Sequence, residues 1–300
     1  MKKLIIGVVT APILYNNIKG DINNDDCGEV HIRYGHIKWL KSENLEIITI
    51  PYYADNLKEY IKNINGLYFP SGKLGKKLSK EYYECCKKLF YMAIEENDKG
   101  NYFPIWGCCL GFELLIIIVD GNDNMDNLLT RFNSYIKNKN KNKSILCKIK
   151  LYQDANKSRL INGIHKTAIK NMTKKKLTKN IHALGISPKK FVNNKNLNDF
   201  FNIIGTSKDL NNKEFIAIIE GKKYPFYGVQ WHPEVNIKFK SLLKFYINEL
   251  KKNKTKIELK NLKKFKEKHT RKINCNKYNK SKCMIYWYKD NYKKCSNYDI

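Results

Sequence analysis

The stretch that most constrains the fold of this chain is residues 106–113, WGCCLGFE. It lies between a strand-like run at 102–105 and a strongly apolar run at 114–119. Two glycines bracket Cys109, and glycine is needed where the chain turns so sharply that side chains would collide with the adjoining strand and helix. The order of these pieces predicts a strand, a tight turn and a helix, with a cysteine at the corner.

The corner cysteine is a candidate nucleophile. The G-x-C-x-G spacing is the thiol counterpart of the serine nucleophile elbow. The helix N-terminus beyond it offers free N–H groups and a positive dipole end, which favour a thiolate and then an oxyanion. Cysteine is also among the most buried residue types, so we interpret Cys85, Cys86 and Cys147 as core or surface thiols. Cys108 comes one residue too early for the corner.

A second motif, YGVQWHPE, lies far downstream at 227–234 and follows two strand-like runs. His232 and Glu234 are two residues apart, so on extended backbone their side chains point the same way. A thiolate nucleophile needs a neighbouring base, and that base needs an acceptor that fixes its tautomer. Cys109, His232 and Glu234 can fill these roles in that order, which makes all three candidate catalytic residues.

Strand-like and helix-like segments alternate along most of the chain. Strand-like runs occur at 3–10, 45–51, 66–70, 102–106, 145–152, 202–206, 214–220 and 225–230, and helix-like periodicity occurs at 29–43, 56–64, 79–96, 110–119 and 237–252. This alternation predicts an α/β fold with a doubly wound, mainly parallel sheet and flanking helices. Reactive groups in such folds gather at the carboxyl ends of strands, where Cys109 and His232 are expected.

The domain organisation follows from length and composition. We expect an α/β domain at 1–250 and a Lys/Tyr-rich C-terminal extension at 251–300, because 300 residues exceed the usual size of one domain. The extension holds 17 Lys and Arg against 4 Asp and Glu. A disordered or loosely packed state is its simpler interpretation. The Lys/Asn run at 137–143 is interpreted as an exposed filler loop.

The chain is strongly basic, with 57 Lys and Arg against 28 Asp and Glu and a net charge of +29. Such a field draws in polyanions, including nucleic acid, so charge alone does not identify the partner. Basic residues with interleaved aromatics in the extension could bind RNA or an acidic surface. The cysteines of the extension lack CxxC spacing, so no zinc site is expected there.

Four stretches carry a family resemblance that runs in register from about residue 3 to 250: 5–8, 64–72, 98–107 and 220–234. With the elbow, they resemble the class I glutamine-amidotransferase-type hydrolases, which have a flavodoxin-like sheet, and within them the folate gamma-glutamyl hydrolases. Glutamine amidotransferases usually carry Gln where this chain has Glu113, and the Gly-Phe-Glu continuation resembles the hydrolases.

The resemblance implies cysteine-dependent hydrolysis of gamma-glutamyl isopeptide bonds, with folate polyglutamate as the expected small-molecule substrate and a thioester at Cys109. His232 would pass a proton to the leaving amine, and Glu234 would orient His232. Backbone N–H groups of Leu110 and Gly72 would hold the oxyanion. No metal or cofactor is required.

The resemblance also implies that His182 and Glu113 contact the substrate. Other positions depart from the family pattern. Cys108 replaces the usual Thr, a small change that we expect to be tolerated. The family's Pro-Gly-Gly turn reads Pro-Ser-Gly at 70–72, and a positive φ at its serine would cause a small loss of activity. His31, Gly35 and His36 replace tyrosine and serine, so substrate contacts from this helix are doubtful.

Alternatives stay open at this point. The chain could be a glutaminase, a hydrolase of another gamma-glutamyl amine, or an inactive basic relative that binds nucleic acid, although the intact Cys, His and Glu set argues against inactivity. Relatives are commonly dimeric, which allows a homodimer.

The compartment is also open. The N-terminus resembles a short signal peptide, and relatives are often lysosomal, vacuolar or secreted. The apolar run coincides with the first core strand, however, and no A-x-A site follows. We therefore expect a cytoplasmic, reducing location, with no segment that spans a membrane.

Overall fold

The computed structural model describes residues 4–12, 30–72, 79–122, 125–137, 143–255, 272–274 and 283–286. The predicted filler loop lies mostly outside these ranges. Most of the C-terminal extension, including Cys275 and Cys295, lies outside them too, and the boundary at residue 250 stays a prediction.

The strands of the described residues are, in chain order, β1 (Ile5–Val9), β2 (Ala11–Pro12), β3 (Val30–Arg33), β4 (Glu46–Ile50), β5 (Gly66–Phe69), β6 (Ile105–Cys108), β7 (Thr130–Arg131), β8 (Tyr135–Ile136), β9 (Lys143–Cys147), β10 (Lys150–Leu151), β11 (Thr178–Asn180), β12 (Leu184–Gly185), β13 (Phe201–Lys208), β14 (Glu214–Gly221), β15 (Phe226–Val229), β16 (Lys272–Asn274) and β17 (Cys283–Tyr286).

The α-helices are α1 (Tyr34–Lys41), α2 (Leu57–Lys62), α3 (Lys80–Asp98), α4 (Leu110–Asp120), α5 (Met125–Leu128), α6 (Arg159–Gly163), α7 (Lys166–Thr173), α8 (Pro188–Asn193), α9 (Lys195–Phe200) and α10 (Lys240–Lys252). Short 3-10 turns span Gln153–Lys157, Pro233–Val235 and Ile237–Phe239. Within the described ranges, no helix is both long and apolar enough to cross a membrane.

A central eight-stranded sheet has the order β10-β13-β14-β15-β6-β5-β1-β4. The five strands from β15 to β4 are parallel to one another. The three pairings on the other side, from β15 to β10, are antiparallel. The mainly parallel sheet with flanking helices confirms the predicted fold class.

Side chains alternate along β1 between two apolar clusters, one on each face of the sheet. Ile5 and Val9 pack in the cluster that contains buried residues of α3 and α4. Ile6 and Val8 pack in the cluster with α1 and α10. This period of two, buried on both sides, is what a central parallel strand requires.

Two of the differences between the observed and the predicted elements concern helices. The helix predicted at 29–43 begins only at Tyr34, because residues 30–33 form β3 and pair with β2 and β17. The four helices α6 to α9 have 5–8 residues each and were not predicted. Each nonetheless starts with a capping side chain, which is a signal that a periodicity search over longer windows does not use.

Candidate active site

Cys109 lies at the corner between β6 and α4 in a backbone conformation that few residues adopt. Its φ is 52° and its ψ is −104°, and α4 begins at the next residue, Leu110. Its N–H donates to the Val229 carbonyl at 2.8 Å, which ties the corner to the neighbouring strand β15. Strained residues of this kind persist where the surrounding structure holds them, typically at functional sites. The geometry is that of the predicted nucleophile elbow.

The two glycines of the motif are required by close packing around this corner. A Cβ on Gly111 would collide with the carbonyl of Phe69 at the end of β5, and one on Gly107 would lie 2.6 Å from the Gly111 carbonyl oxygen. Neither obstacle is a flexible side chain. The G-x-C-x-G spacing therefore allows β5, β6 and α4 to approach one another.

Helix α4 is held in place by burial on every side. Its apolar residues from Leu114 to Ile118 are at most 1 % exposed, and the helix ends at Asp120, followed by Gly121 with a φ of 77°. A helix that is apolar all round belongs in a core. Its first N–H groups have no partner within the helix, so the N–H of Leu110 and the positive dipole end are available beside Cys109.

The downstream motif reaches Cys109 because β15 pairs in parallel with β6. Val229 is in register with Cys108, so the residues that follow each strand emerge at the same edge of the sheet. His232 and Glu234 lie just beyond that edge, where a 3-10 turn begins at Pro233. The two sequence motifs thus meet at the carboxyl ends of adjacent parallel strands, as the sequence predicts.

His232 and Glu234 form a buried ion pair beside the nucleophile. The Nδ1–H of His232 donates to Oε1 of Glu234 at 2.8 Å, and the two side chains are 5 % and 4 % exposed. Burial alone would lower the pKa of His232, but Glu234 and the adjacent Cys109 thiol raise it to about 10. The structure therefore brings Cys109, His232 and Glu234 together.

Glu234 stays ionised because of its neighbours. Burial would raise its pKa, but His36 and His232 lower it to about 2. Burial is the main cause that lowers the pKa of His36 to about 4, so His36 is uncharged at neutral pH. The imidazolium of His232 is therefore the positive charge that Glu234 faces under ordinary conditions.

A set of residues that the sequence did not assign to the site lies around Glu234 and its neighbour His36. We call His36, Tyr68, Ser71 and Cys108 the back side of the site. Nδ1 of His36 lies 2.6 Å from the Tyr68 hydroxyl, and its Nε2 lies 2.5 Å from the Ser71 hydroxyl and 3.5 Å from Oε1 of Glu234. Three of the four, His36, Ser71 and Cys108, are positions where the chain departs from the family pattern, and that coincidence was the available signal.

Cys108 contacts the opposite oxygen of the same carboxylate. Its thiol donates to Oε2 of Glu234 at 3.5 Å and lies 3.4 Å from the Trp231 carbonyl oxygen. Burial, and then the charge of Glu234, raise the pKa of Cys108 well above its usual range. Cys108 is therefore a protonated thiol, a hydrogen-bond donor to Glu234.

The Pro-Ser-Gly turn is not strained at its serine, since Ser71 is not among the described residues with a positive φ. The condition for a loss of activity is therefore not met. The backbone N–H of Ser71 donates to Nε2 of His36 at 3.2 Å, so this donor already has an acceptor. Gly72 packs directly on Leu110, whose side chain a Cβ on Gly72 would meet. The two residues predicted to form the oxyanion hole are therefore neighbours.

Glu113 and His182 are both buried close enough to His232 for electrostatic interaction. Glu113 accepts a hydrogen bond from Nε2 of Gln230 at 2.9 Å, and burial raises its pKa to about 8. Nδ1 of His182 donates to the Leu184 carbonyl at 2.7 Å, and burial lowers its pKa to about 4. Nε2 of His182 has no partner among the described residues. Their role in substrate binding stays a prediction.

Comparisons with known proteins agree with this geometry. The family model for class I glutamine amidotransferases matches residues 26–247. The gamma-glutamyl hydrolase of Rattus norvegicus is 32% identical over 236 residues, which are 78% of this chain and 68% of that protein. The gamma-glutamyl hydrolase of Mus musculus is 35% identical over 69% of this chain and 62% of its own length, and gamma-glutamyl hydrolase B of Dictyostelium discoideum is 32% identical over 77% and 62%.

Among solved structures, the chain is similar to a Thermoplasma acidophilum protein described as one of the subunits of a GMP synthase. The TM-score is 0.51 over 84% of this chain and 96% of that one, at 14% identity, which shows the fold alone. The match to the family model and the similarity to the rat protein establish the family, because each covers most of the α/β domain. The chain belongs to the class I glutamine amidotransferase family and, within it, to the gamma-glutamyl hydrolases.

Proposed function

We propose that this protein hydrolyses gamma-glutamyl isopeptide bonds in folate polyglutamates, through a thioester at Cys109. The observation that carries the proposal is the arrangement of Cys109 on a strained elbow beside a buried His232–Glu234 pair. The relatives that match most of this chain are named gamma-glutamyl hydrolase, and this name indicates which bond is cleaved.

The first chemical step is attack of the Cys109 sulfur on the gamma-carbonyl carbon. An imidazolium beside the sulfur favours the thiolate, and His232 is charged at neutral pH because Glu234 and Cys109 outweigh burial and raise its pKa to about 10. The carbonyl oxygen becomes an oxyanion, which the N–H groups of Leu110 and Gly72 stabilise.

The second step breaks the isopeptide bond. His232 gives a proton to the leaving amine, the C–N bond breaks and the acyl group stays on Cys109 as a thioester. His232 then removes a proton from water, which attacks the thioester and releases the acid. Glu234 holds the His232 ring in one tautomer by accepting from Nδ1, which leaves Nε2 for the proton transfers.

Glu113 and His182 are proposed to bind the glutamyl tail. With a pKa that burial raises to about 8, Glu113 carries a proton at neutral pH and can approach a substrate carboxylate without repelling it. Nε2 of the neutral His182 has no partner among the described residues and is proposed to accept from a substrate N–H group. The net charge of +29 also raises the local concentration of a polyanionic tail.

Product analysis with a defined pteroylpentaglutamate tests the proposal. Wild-type protein is expected to release shorter folates or free glutamate, and Cys109→Ala is expected to release at least about 10⁴-fold less. Cys147→Ala is the matched control, because that thiol donates to the Lys208 carbonyl and not to a residue of the site, so its loss should leave turnover in place. Equal, negligible release by wild type and Cys109→Ala would refute the proposal, and ammonia release from free glutamine would identify a glutaminase instead.

We also propose, from the sequence alone, a homodimer, a cytoplasmic location and an affinity of the basic extension for nucleic acid or an acidic surface. Light scattering of the full-length protein tests the first of these. A salt titration of its binding to single-stranded RNA tests the last, because counterion release makes such binding weaken steeply with salt.

A further inference from the structure

Three side chains of metal-binding type converge at the back side of the site. Nε2 of His36 lies 3.5 Å from Oε1 of Glu234, and Sγ of Cys108 lies 3.5 Å from Oε2. The donor atoms of the three residues all lie within 4.8 Å of one another. The side chains of His36 and Glu234 are 0% and 4% exposed, and Cys108 is 0% exposed. No other group of this kind is found among the described residues.

These separations suit a zinc ion. With Zn–S near 2.3 Å and Zn–N and Zn–O near 2.0 Å, neighbouring ligands of a tetrahedral site lie about 3.3–3.6 Å apart. The distance from Nε2 of His36 to Oε1 of Glu234 and the distance from Sγ of Cys108 to Oε2 are of this size, each to a different oxygen of the same carboxylate. A thiolate, an imidazole and a carboxylate form a set that selects Zn²⁺ over the oxygen-seeking Mg²⁺ and Ca²⁺.

Charge and hydrogen bonding also suit the ion. Binding of Zn²⁺ releases one proton from the Cys108 thiol, so that the ion, the thiolate, the Glu234 carboxylate and a neutral imidazole together carry no net charge. Nδ1–H of His36 donates to the Tyr68 hydroxyl, the outer contact that commonly orients a metal-binding imidazole. Ligation at Nε2 replaces the two hydrogen bonds from Ser71.

We propose that His36, Cys108 and Glu234 form an inhibitory site for Zn²⁺ behind the catalytic pair. The ion shares the carboxylate that accepts from Nδ1 of His232 and orients its ring, so occupancy weakens this hydrogen bond and slows both proton transfers. Glu234 lies within the 3-10 turn Pro233–Val235, where the next residue, Val235, is 49% exposed, so the site lies near the protein surface. The inhibition rests on the proposed function, whereas binding of the ion does not.

The binding test uses metal-free, full-length Cys109→Ser protein, in which the catalytic Cys–His pair no longer offers a thiolate. Zn²⁺ titrated against a chromophoric chelator is expected to bind this variant, and Co²⁺ is expected to give a thiolate-to-metal charge-transfer absorption. The matched variant Cys109→Ser/Cys108→Thr keeps every other thiol of the chain. It should lose the absorption and bind Zn²⁺ more weakly by over about 100-fold, since even the loss of an outer contact of a metal ligand costs 10–100-fold.

A second ligand keeps the test decisive if the threonine variant folds poorly. His36→Gln in the Cys109→Ser protein should weaken Zn²⁺ binding without abolishing the Cys108-dependent cobalt absorption, and Mg²⁺ should not compete in any variant. Equal Zn²⁺ affinity with and without Cys108, or no binding by the Cys109→Ser protein, overturns the proposal. In wild type, Zn²⁺ should inhibit pentaglutamate cleavage and a chelator should restore it. An inactive protein that still binds Zn²⁺ through Cys108 would refute the proposed function and leave the metal site standing.

Discussion

Two buried glutamates, Glu113 and Glu234, interact with His232, yet their pKa values shift in opposite directions. Burial raises the pKa of Glu113 to about 8. Burial acts on Glu234 in the same direction, but His36 and His232 reverse it and bring the pKa to about 2. Glu234 makes a direct 2.8 Å hydrogen bond to the His232 ring, whereas Glu113 accepts its hydrogen bond from the neutral amide of Gln230.

The difference shows that contact with a charged group, and not depth of burial, decides the charge of a carboxyl group in this site. When their environments shift the pKa values of two carboxyl groups in opposite directions, the two groups can take different roles in one pocket. Glu234 is suited to hold an imidazolium, and Glu113 is suited to meet a carboxylate as a neutral acid. Each assignment can be broken by a substitution that changes charge and little else.

The largest effect is expected for Glu234→Gln. The glutamine side chain is uncharged, so it no longer stabilises the His232 imidazolium. Its NH₂ group can also donate to Nδ1, which favours the tautomer of His232 that carries the proton on Nε2. We expect kcat for pentaglutamate cleavage to fall by about 10⁴-fold, as for the equivalent change in a serine triad. The pKa of His232 should also fall from about 10 towards its ordinary value, which a histidine ring NMR titration measures.

Thermal unfolding checks that Glu234→Gln remains folded, and Glu59→Gln on the surface helix α2 serves as the charge-matched control with full activity expected. If Glu234→Gln keeps more than about a tenth of the wild-type kcat, the carboxylate does not position His232 and the proposed assignment of roles is lost.

For Glu113→Gln we expect a smaller effect, a change of about a few kcal/mol in how the free energy of unfolding depends on pH. The folded-state pKa of Glu113, about 8, is raised above the ordinary 4.5, so its contribution to stability is present below about pH 4.5 and is lost as the pH rises to 8. The slope is about 1.4 kcal/mol per pH unit in that window. Glutamine can still accept from Gln230 but cannot ionise.

Urea unfolding of wild type and Glu113→Gln at pH 5, 7 and 8.5 measures this difference. Wild type should lose on the order of a few kcal/mol more than the variant across the series. Parallel pH profiles for the two proteins would mean that Glu113 is ionised in the folded protein, and the contrast between the two glutamates would disappear.

The sequence alone was sufficient for the parts of the site that depend on local motifs. The G-x-C-x-G spacing predicted the elbow, and the alternation of strands and helices predicted the sheet that brings Cys109 to His232. Both follow from local geometry, since parallel neighbouring strands deliver their carboxyl ends to one edge. The pairing of Val229 with Cys108 shows this delivery in register.

The back side of the site could not be predicted in the same way. His36 is 73 residues from Cys109 in the sequence and lies on α1, where no motif marks it. Its contacts with Tyr68, Ser71 and Glu234 arise from packing between separate elements. Even the opposite pKa shifts of the two glutamates depend on a distance of a few ångströms that periodicity does not encode.

The smallest effect on turnover is expected for Cys108→Thr, and it isolates what the back side contributes to Glu234. A threonine hydroxyl can donate to Oε2 of Glu234 much as the thiol does, so kcat in metal-free buffer should change by less than about tenfold, the worth of one hydrogen bond. Cys108→Val has similar bulk but no donor and should lose more than the threonine variant. A larger loss with threonine than with valine would mean that Cys108 acts through packing and not through the hydrogen bond. Because the neighbouring His232 imidazolium, and not Cys108, keeps Glu234 ionised at neutral pH, neither variant should approach the loss expected for Glu234→Gln.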